Sequence, residues 1–165
     1  MRLLRRVSLM ISVAAAVTAM VSAQAGSPLS GTWNINLAKS KHSPANLALK
    51  SSTSRFDVTA DTVKLVNDGV DAQGRKTHLE YTARFDGKPS PVTSTVDGKP
   101  SGTQDAVTWR KIDDYAYENV AMLKGKTLTT TRVVISRDGK TRTNTVNGQD
   151  AQGRTINNTV VYEKR

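Results

Sequence analysis

From residue 30 onward, apolar and polar residues alternate in short runs. In "SGTWNINLAKS" Trp33, Ile35 and Leu37 fall on one side, with Asn34, Asn36 and Ala38 on the other. Phe56 and Val58 mark a second run, Val63 and Leu65 a third. "KTHLEYTARF" then places Leu79, Tyr81, Ala83 and Phe85 on one face, against His78, Glu80, Thr82 and Arg84. Period-two alternation over such lengths predicts strands with one buried face, and no long 3.6-residue pattern competes with it. Further strands are expected around 106–112, 115–122, 127–136, 141–147 and 155–163. "LALKSSTS" is weakly patterned and reads as a loop or a short helical turn.

The punctuation agrees with this reading. Asp-Gly-Lys occurs at 86–88, 97–99 and 138–140, and Lys-Gly-Lys at 124–126. Asp-Gly suits the positive φ angles of tight hairpins. Residues 87–102, with Pro89, Pro91 and Pro100, read as an irregular connection or edge, because proline cannot donate to a ladder. The heptapeptide Gly-x-Asp-Ala-Gln-Gly-Arg occurs twice, at 69–75 and 148–154. Apolar positions flanking the two copies do not match, so the repeat predicts two hairpin connections of one sheet rather than a duplicated domain. The expectation is an all-β chain, an antiparallel up-and-down meander of about eight to ten strands closed into a barrel. An open sandwich is the alternative.

Residues 1–25 stand apart. Arg2, Arg5 and Arg6 precede an apolar run from Val7 to about Val21, followed by small residues, the order of a secretory signal peptide. Cleavage is expected after Ala23 or Ala25, leaving one domain, residues 26–165, in a periplasmic or extracellular setting. The Arg5-Arg6 pair leaves both general and twin-arginine export open. With no cysteine in the chain, stability has to come from packing and backbone pairing.

The formal charge is +10, and +7 without the three leading arginines. The basic residues are scattered, with no aromatic–basic stacking motif, so nucleic acid is not an expected partner. Weak contact with anionic envelope polymers fits the surface charge. The mature chain has no apolar stretch of spanning length, and a monomer is expected.

"GTWNINLAKSK" resembles the opening of small exported bacterial lipocalin-like proteins, part of the calycin group that includes lipocalins and fatty-acid-binding proteins. Gly31-x-Trp33 matches the Gly-x-Trp of a lipocalin first strand, whose Trp closes one barrel end. "SRDGKTRTNTVNGQDAQGRTINNTVVYEKR" is similar to the last hairpins of that group. The resemblance implies a lipocalin-like β-barrel that carries a small ligand, with strand number left open between the two families. It has two departures. The last-strand arginine that packs on the first-strand Trp in many lipocalins is missing, with only Lys164 or Arg165 near that place. The Arg-x-Tyr pair of fatty-acid-binding proteins is reduced to Tyr162, so a carboxylate clamp does not carry over.

Signals for catalysis are few. His42 and His78 read as surface histidines, and Asp113-Asp114 as a turn before a strand. Neither a nucleophile elbow nor a phosphate loop or dinucleotide fingerprint is present. No catalytic residue, metal or cofactor is expected, and an enzyme ranks last. A barrel of about eight strands can enclose one small ligand. The expected reading is therefore an exported protein binding an apolar or amphipathic molecule. Its candidate lining residues are Trp33, Phe56, Tyr81, Phe85, Trp109, Tyr117, Arg132 and Tyr162. Ile35, Leu79 and Tyr115 are further inward positions. Arg132 faces solvent if Thr129, Thr131, Val133 and Ile135 form the inner face; otherwise it is the first candidate for an anion anchor, with Arg142 next. An envelope protein with a filled barrel and a basic surface is the alternative.

Overall fold

The computed structural model describes residues 26–165. The expected signal segment, 1–25, lies outside the described residues. Twelve strands form one antiparallel sheet: β1 (Gly31–Ile35), β2 (Ser51–Val58), β3 (Thr62–Val70), β4 (Lys76–Arg84), β5 (Ser90–Pro91), β6 (Thr93–Val96), β7 (Lys99–Pro100), β8 (Ala106–Asp113), β9 (Ala116–Leu123), β10 (Lys126–Ile135), β11 (Thr141–Gln149) and β12 (Thr155–Lys164). Their spatial order is β5-β8-β9-β10-β11-β12-β1-β2-β3-β4-β6-β7. The last strand therefore pairs with the first, Trp33 opposite Lys164 and Ile35 opposite Tyr162. The sheet curls into a half-barrel around its apolar face.

The expected closed meander is interrupted between β4 and β8. In the proline-bearing segment the chain makes only the short pieces β5, β6 and β7, which raises the strand count above expectation. Each proline lacks an N–H, so no long strand can run there. At one end the two flanks still touch. The chain leaving β4 bridges β8 at Asp86 and Arg110, and the Gly87 N–H donates to the Trp109 carbonyl at 3.0 Å.

Tight turns follow the residues expected to make them. Asp97 and Gly98 have φ of 49° and 77°, and Lys124 and Gly125 have 51° and 76°, both central residues positive as in a type I′ hairpin. Leu37 departs from expectation. The chain turns into a 3₁₀ segment, Leu37–Lys39, started by the Asn36 side chain accepting from the Lys39 N–H, and Leu37 ends up exposed. The connector then runs on beside β12, through the bridge Lys41–Thr159 and the Asn157 N–H to Ser43 carbonyl bond.

The core joins Leu29, Trp33, Phe56, Val63, Trp109, Tyr117, Val133, Ile135 and Tyr162 from both flanks of the sheet. Ile35, Leu79, Phe85 and Tyr115 pack against it half-buried. Trp109 is the centre of an aromatic cluster, edge-on to Phe56 at 6.1 Å and to Tyr117 at 6.2 Å. Such pairs add about 0.5–1.5 kcal/mol each beyond area burial. Trp33 seals the end near Leu29 and Lys164. Its indole N–H donates to the Leu29 carbonyl at 2.8 Å, and Lys164 lies over its ring at 5.1 Å with Nζ donating to the Pro28 carbonyl. Lys164 of β12 is thus a cation lying against the Trp33 ring.

Candidate functional site

The inner face changes character along the strands. Near the Trp33 end it is apolar: Phe56 on β2, Val63 and Leu65 on β3, Val133 and Ile135 on β10. One or two inward positions further along, the same strands present Ser54, Asn67 and Thr131. A cavity of about 200 Å³ lies at this transition, lined by Phe56, Tyr81, Trp109, Tyr162, Asn119 and Asn144 among others. It shares Gln104, Ala121 and Thr129 with a wider recess of about 970 Å³ at the open end. The interior is thus reached from one end and sealed at the other.

Arg142 dominates this cavity. It is only 2% exposed, and the buried polar side chains around it are Ser52, Ser54 and Thr131, with no acid among the described residues. Pairing places it opposite Ile135 of β10 and Tyr162 of β12, which turns it inward. Its guanidinium stacks on Tyr162 at 3.9 Å, Phe56 at 4.8 Å and Trp33 at 5.6 Å. Nη2 donates to Ser54 Oγ at 3.1 Å, and Ser54 in turn donates to Asn67 Oδ1 at 2.8 Å. Ser52 donates to the same Asn67 oxygen and lies 3.4 Å from the Tyr162 hydroxyl. Nε of Arg142 is buried with no partner, as is Asn144 Oδ1.

Burial lowers the Arg142 pKa to about 10, so the side chain stays cationic at neutral pH. Burial also pushes the Tyr81 phenol upward, keeping it neutral, with its oxygen accepting from the Trp109 indole at 3.1 Å. The cavity therefore holds one positive charge and no negative one among the described residues. Aromatic faces offset part of that cost, about 0.5–2 kcal/mol each.

Of the residues singled out in the sequence, Phe56, Tyr81, Trp109 and Tyr162 line the cavity. Trp33 and Tyr117 are buried beneath it, and Phe85 packs beside Tyr117 at 5.6 Å. Arg132 is exposed on the outer face, because Thr131, Val133 and Ile135 take the inward parity of β10. Arg142, the second choice, is the cation inside. Ser54, Asn67, Asn119 and Asn144 were missed, since short polar residues on Thr-rich and Asn-rich strands look like a wet face. His42 is half-buried rather than a plain surface residue, and burial lowers its pKa. His78 lies on the outer side, 2.8 Å from Asp68.

Both Asp-Ala-Gln-Gly-Arg copies border the recess at the open end. They fold alike. Asp71 Oδ1 accepts from the Gln73 and Arg75 N–H groups and Oδ2 from Arg75 Nε; Asp150 does the same with Gln152 and Arg154. The repeat is a pair of hairpin turns, as expected, and its place at the rim of the recess was not foreseen. The chain matches no protein-family model, no curated protein and no solved structure among those compared.

Proposed function

We propose that this chain is an exported small-molecule-binding protein of lipocalin-like type, whose interior receives an amphipathic anion from the open end. The observation that carries this reading is Arg142, a buried cation lining the cavity with no buried acidic partner among the described residues. A buried charge without a counter-ion costs several kcal/mol, and an apolar side chain of similar volume would pack there without that cost. Groups held against stability in this way mark function more often than folding. An anionic head group supplies the missing partner, and the aromatic walls take the apolar part of the ligand.

The lipocalin-like assignment has its own support. First and last strands pair, Trp33 plugs the end beside Leu29, and Lys164 covers that ring. The half-barrel, with its short β5–β7 strap, then stands where such proteins have a closed barrel.

The test uses tryptophan fluorescence, because Trp109 lines the cavity. Hexanoate is expected to shift the emission and hexanol to bind at least about tenfold more weakly, the difference one charge-assisted hydrogen bond makes. Arg142→Met is expected to abolish that preference. If neither compound binds the wild-type chain, the reading fails, and the reading that remains is an envelope protein with a basic surface. Native mass spectrometry of protein from its own host would identify a retained ligand directly.

A further inference from the structure

Hydrogen bonds around Arg142 can be followed proton by proton. Its Nη2 donates to Ser54 Oγ, and Ser54 passes its own proton to Asn67 Oδ1. Ser52 donates to that same oxygen, so the Tyr162 hydroxyl, 3.4 Å away, is the donor toward Ser52. Both chains end on Asn67 Oδ1 and use up its acceptor capacity. Tyr81 accepts from the Trp109 indole, which leaves its phenol proton with no acceptor among the described residues. Arg142 Nε and Asn144 Oδ1 are closed off from solvent, so those two side chains open through Nη1 and Nδ2. Asn67, with Oδ1 taken, likewise has only Nδ2 left to offer.

Four residues lining one cavity thus hold an unused donor: Arg142, Asn144, Asn67 and Tyr81. Arg142 and Tyr81 stand close enough for each to act on the other's ionisation. Asn119 and Thr131 can donate or accept, and Gln104 keeps an open acceptor where the cavity meets the recess. The donors come from three strands, β3, β4 and β11. A carboxylate accepts best within its own plane, whereas a tetrahedral oxyanion turns three oxygens in three directions. We infer that the cavity takes a tetrahedral head group made only of acceptors, a phosphate monoester or a sulfonate, in preference to a carboxylate. This rests on the anion-binding reading above and deepens it by naming the head group. Buried donors recover their lost hydration only when acceptors arrive, so a head group with a third oxygen satisfies more of them. The apolar part of the ligand is left with Phe56 and Trp109.

The experiment compares hexanoate, hexanesulfonate and hexyl phosphate by calorimetric titration on the full mature chain. Hexyl phosphate is expected to bind at least about tenfold more tightly than hexanoate, and hexanesulfonate at least about threefold. Hexanesulfonate carries the same single charge as hexanoate with one more oxygen, so it separates oxygen number from charge. Tyr81→Phe and Asn144→Leu, each checked for folding by thermal melt, are both expected to weaken hexyl phosphate more than hexanoate. Arg132→Met, on the outer face, is expected to change none of the three affinities. Equal or weaker binding of hexanesulfonate than of hexanoate overturns the three-oxygen head group and leaves the anion site standing. Equal losses for hexyl phosphate and hexanoate in both folded variants overturn it too, since the extra oxygen then meets neither donor. Failure of all three compounds to bind a folded wild type overturns both readings. A loss of affinity in Arg132→Met as large as in the cavity variants places the anions on the basic surface and also overturns both.

Discussion

Arg142 occupies an inward position of β11 where strand alternation in an ordinary core would place an aliphatic side chain. Burial lowers its pKa well below the usual guanidinium range, to about 10. At about 1.4 kcal/mol per unit, that shift corresponds to a folding penalty on the order of 3 kcal/mol, partly offset by its three aromatic neighbours. The sign follows from proton counting. The folded value lies below the unfolded one, so the unfolded chain holds more protons from about pH 10 up to the usual guanidinium range. The penalty is therefore full below about pH 10 and fades as pH rises through that window. Arg142→Met is expected to stabilise the ligand-free protein by about 1–2 kcal/mol at pH 7. In a thermal melt this appears as a rise of roughly 3–6 °C, and the gap should narrow above pH 10. A fall in melting temperature would mean that the aromatic stacking outweighs the desolvation, making Arg142 a structural residue. The same residue shows why the site was hard to read from the sequence. "TRTNTVN" contains a single aliphatic residue, Val146, so hydropathy favours neither face of β11. The inward turn of Arg142 is set by register, opposite Ile135 and Tyr162, both of which the fold buries.

At the level of elements, the strands and hairpins were legible because alternation and Asp-Gly turns act locally, within a few residues. The glycine that precedes each Asp-Ala-Gln-Gly-Arg copy answers to a neighbour far along the chain. A Cβ on Gly69 would lie 2.6 Å from the Ser51 carbonyl oxygen, and one on Gly148 would collide with the Leu128 carbonyl. Gly148 also has a φ of 141°, whereas Gly139, at 69°, has open space around it. Gly148→Ala is accordingly expected to cost about 3 kcal/mol or more, and Gly139→Ala about 1 kcal/mol. Urea denaturation of the two variants checks this; equal losses would show that conformation alone, without the close approach, governs both. The turn aspartates supply a second expectation. Burial alone would raise the pKa values of Asp71 and Asp150, but hydrogen bonds from Arg75 and Arg154 and from the turn amides outweigh it, and both are lowered. An acid with a depressed folded pKa contributes stability above its unfolded value and loses it as pH falls through the folded one. The contribution of both turns should therefore be intact at pH 5 and lost progressively below the usual carboxylate range. A double Asp71→Asn, Asp150→Asn variant should flatten the acid limb of a stability profile measured between pH 5 and pH 2. An unchanged limb would assign the acid sensitivity elsewhere.

At the scale of the whole molecule, backbone pairing is uneven. From β8 through β12 and on through β1 to β4, each strand is hydrogen-bonded to neighbours on both sides. Between β4 and β8 the chain offers only two-residue and four-residue pieces, with Asp86, Gly87 and Ser90 making the sparse links to β8. The cause is composition: Pro89, Pro91 and Pro100 within twelve residues cannot sustain a ladder. Pro91 pairs at the flank beside β8, while β7, holding Lys99 and Pro100, ends the sheet at the other flank, residue types that blunt an edge against further pairing. Val96, Lys99, Pro100 and Ser101 also border the recess at the open end, so the weakest part of the sheet lies beside the entrance to the cavity. Local opening follows the regions with fewest backbone bonds and buried contacts. Amides of β6 and β7 are therefore expected to exchange with deuterium at least about a hundredfold faster than those of β10, β11 and β12. A bound anion should slow exchange at Arg142 and Asn144 more than at Val96 or Ser101, because it contacts the inner strands and not the strap. If the strap gained as much protection as β11, the strap would be closing over the ligand, and entry would depend on its movement rather than on a standing opening.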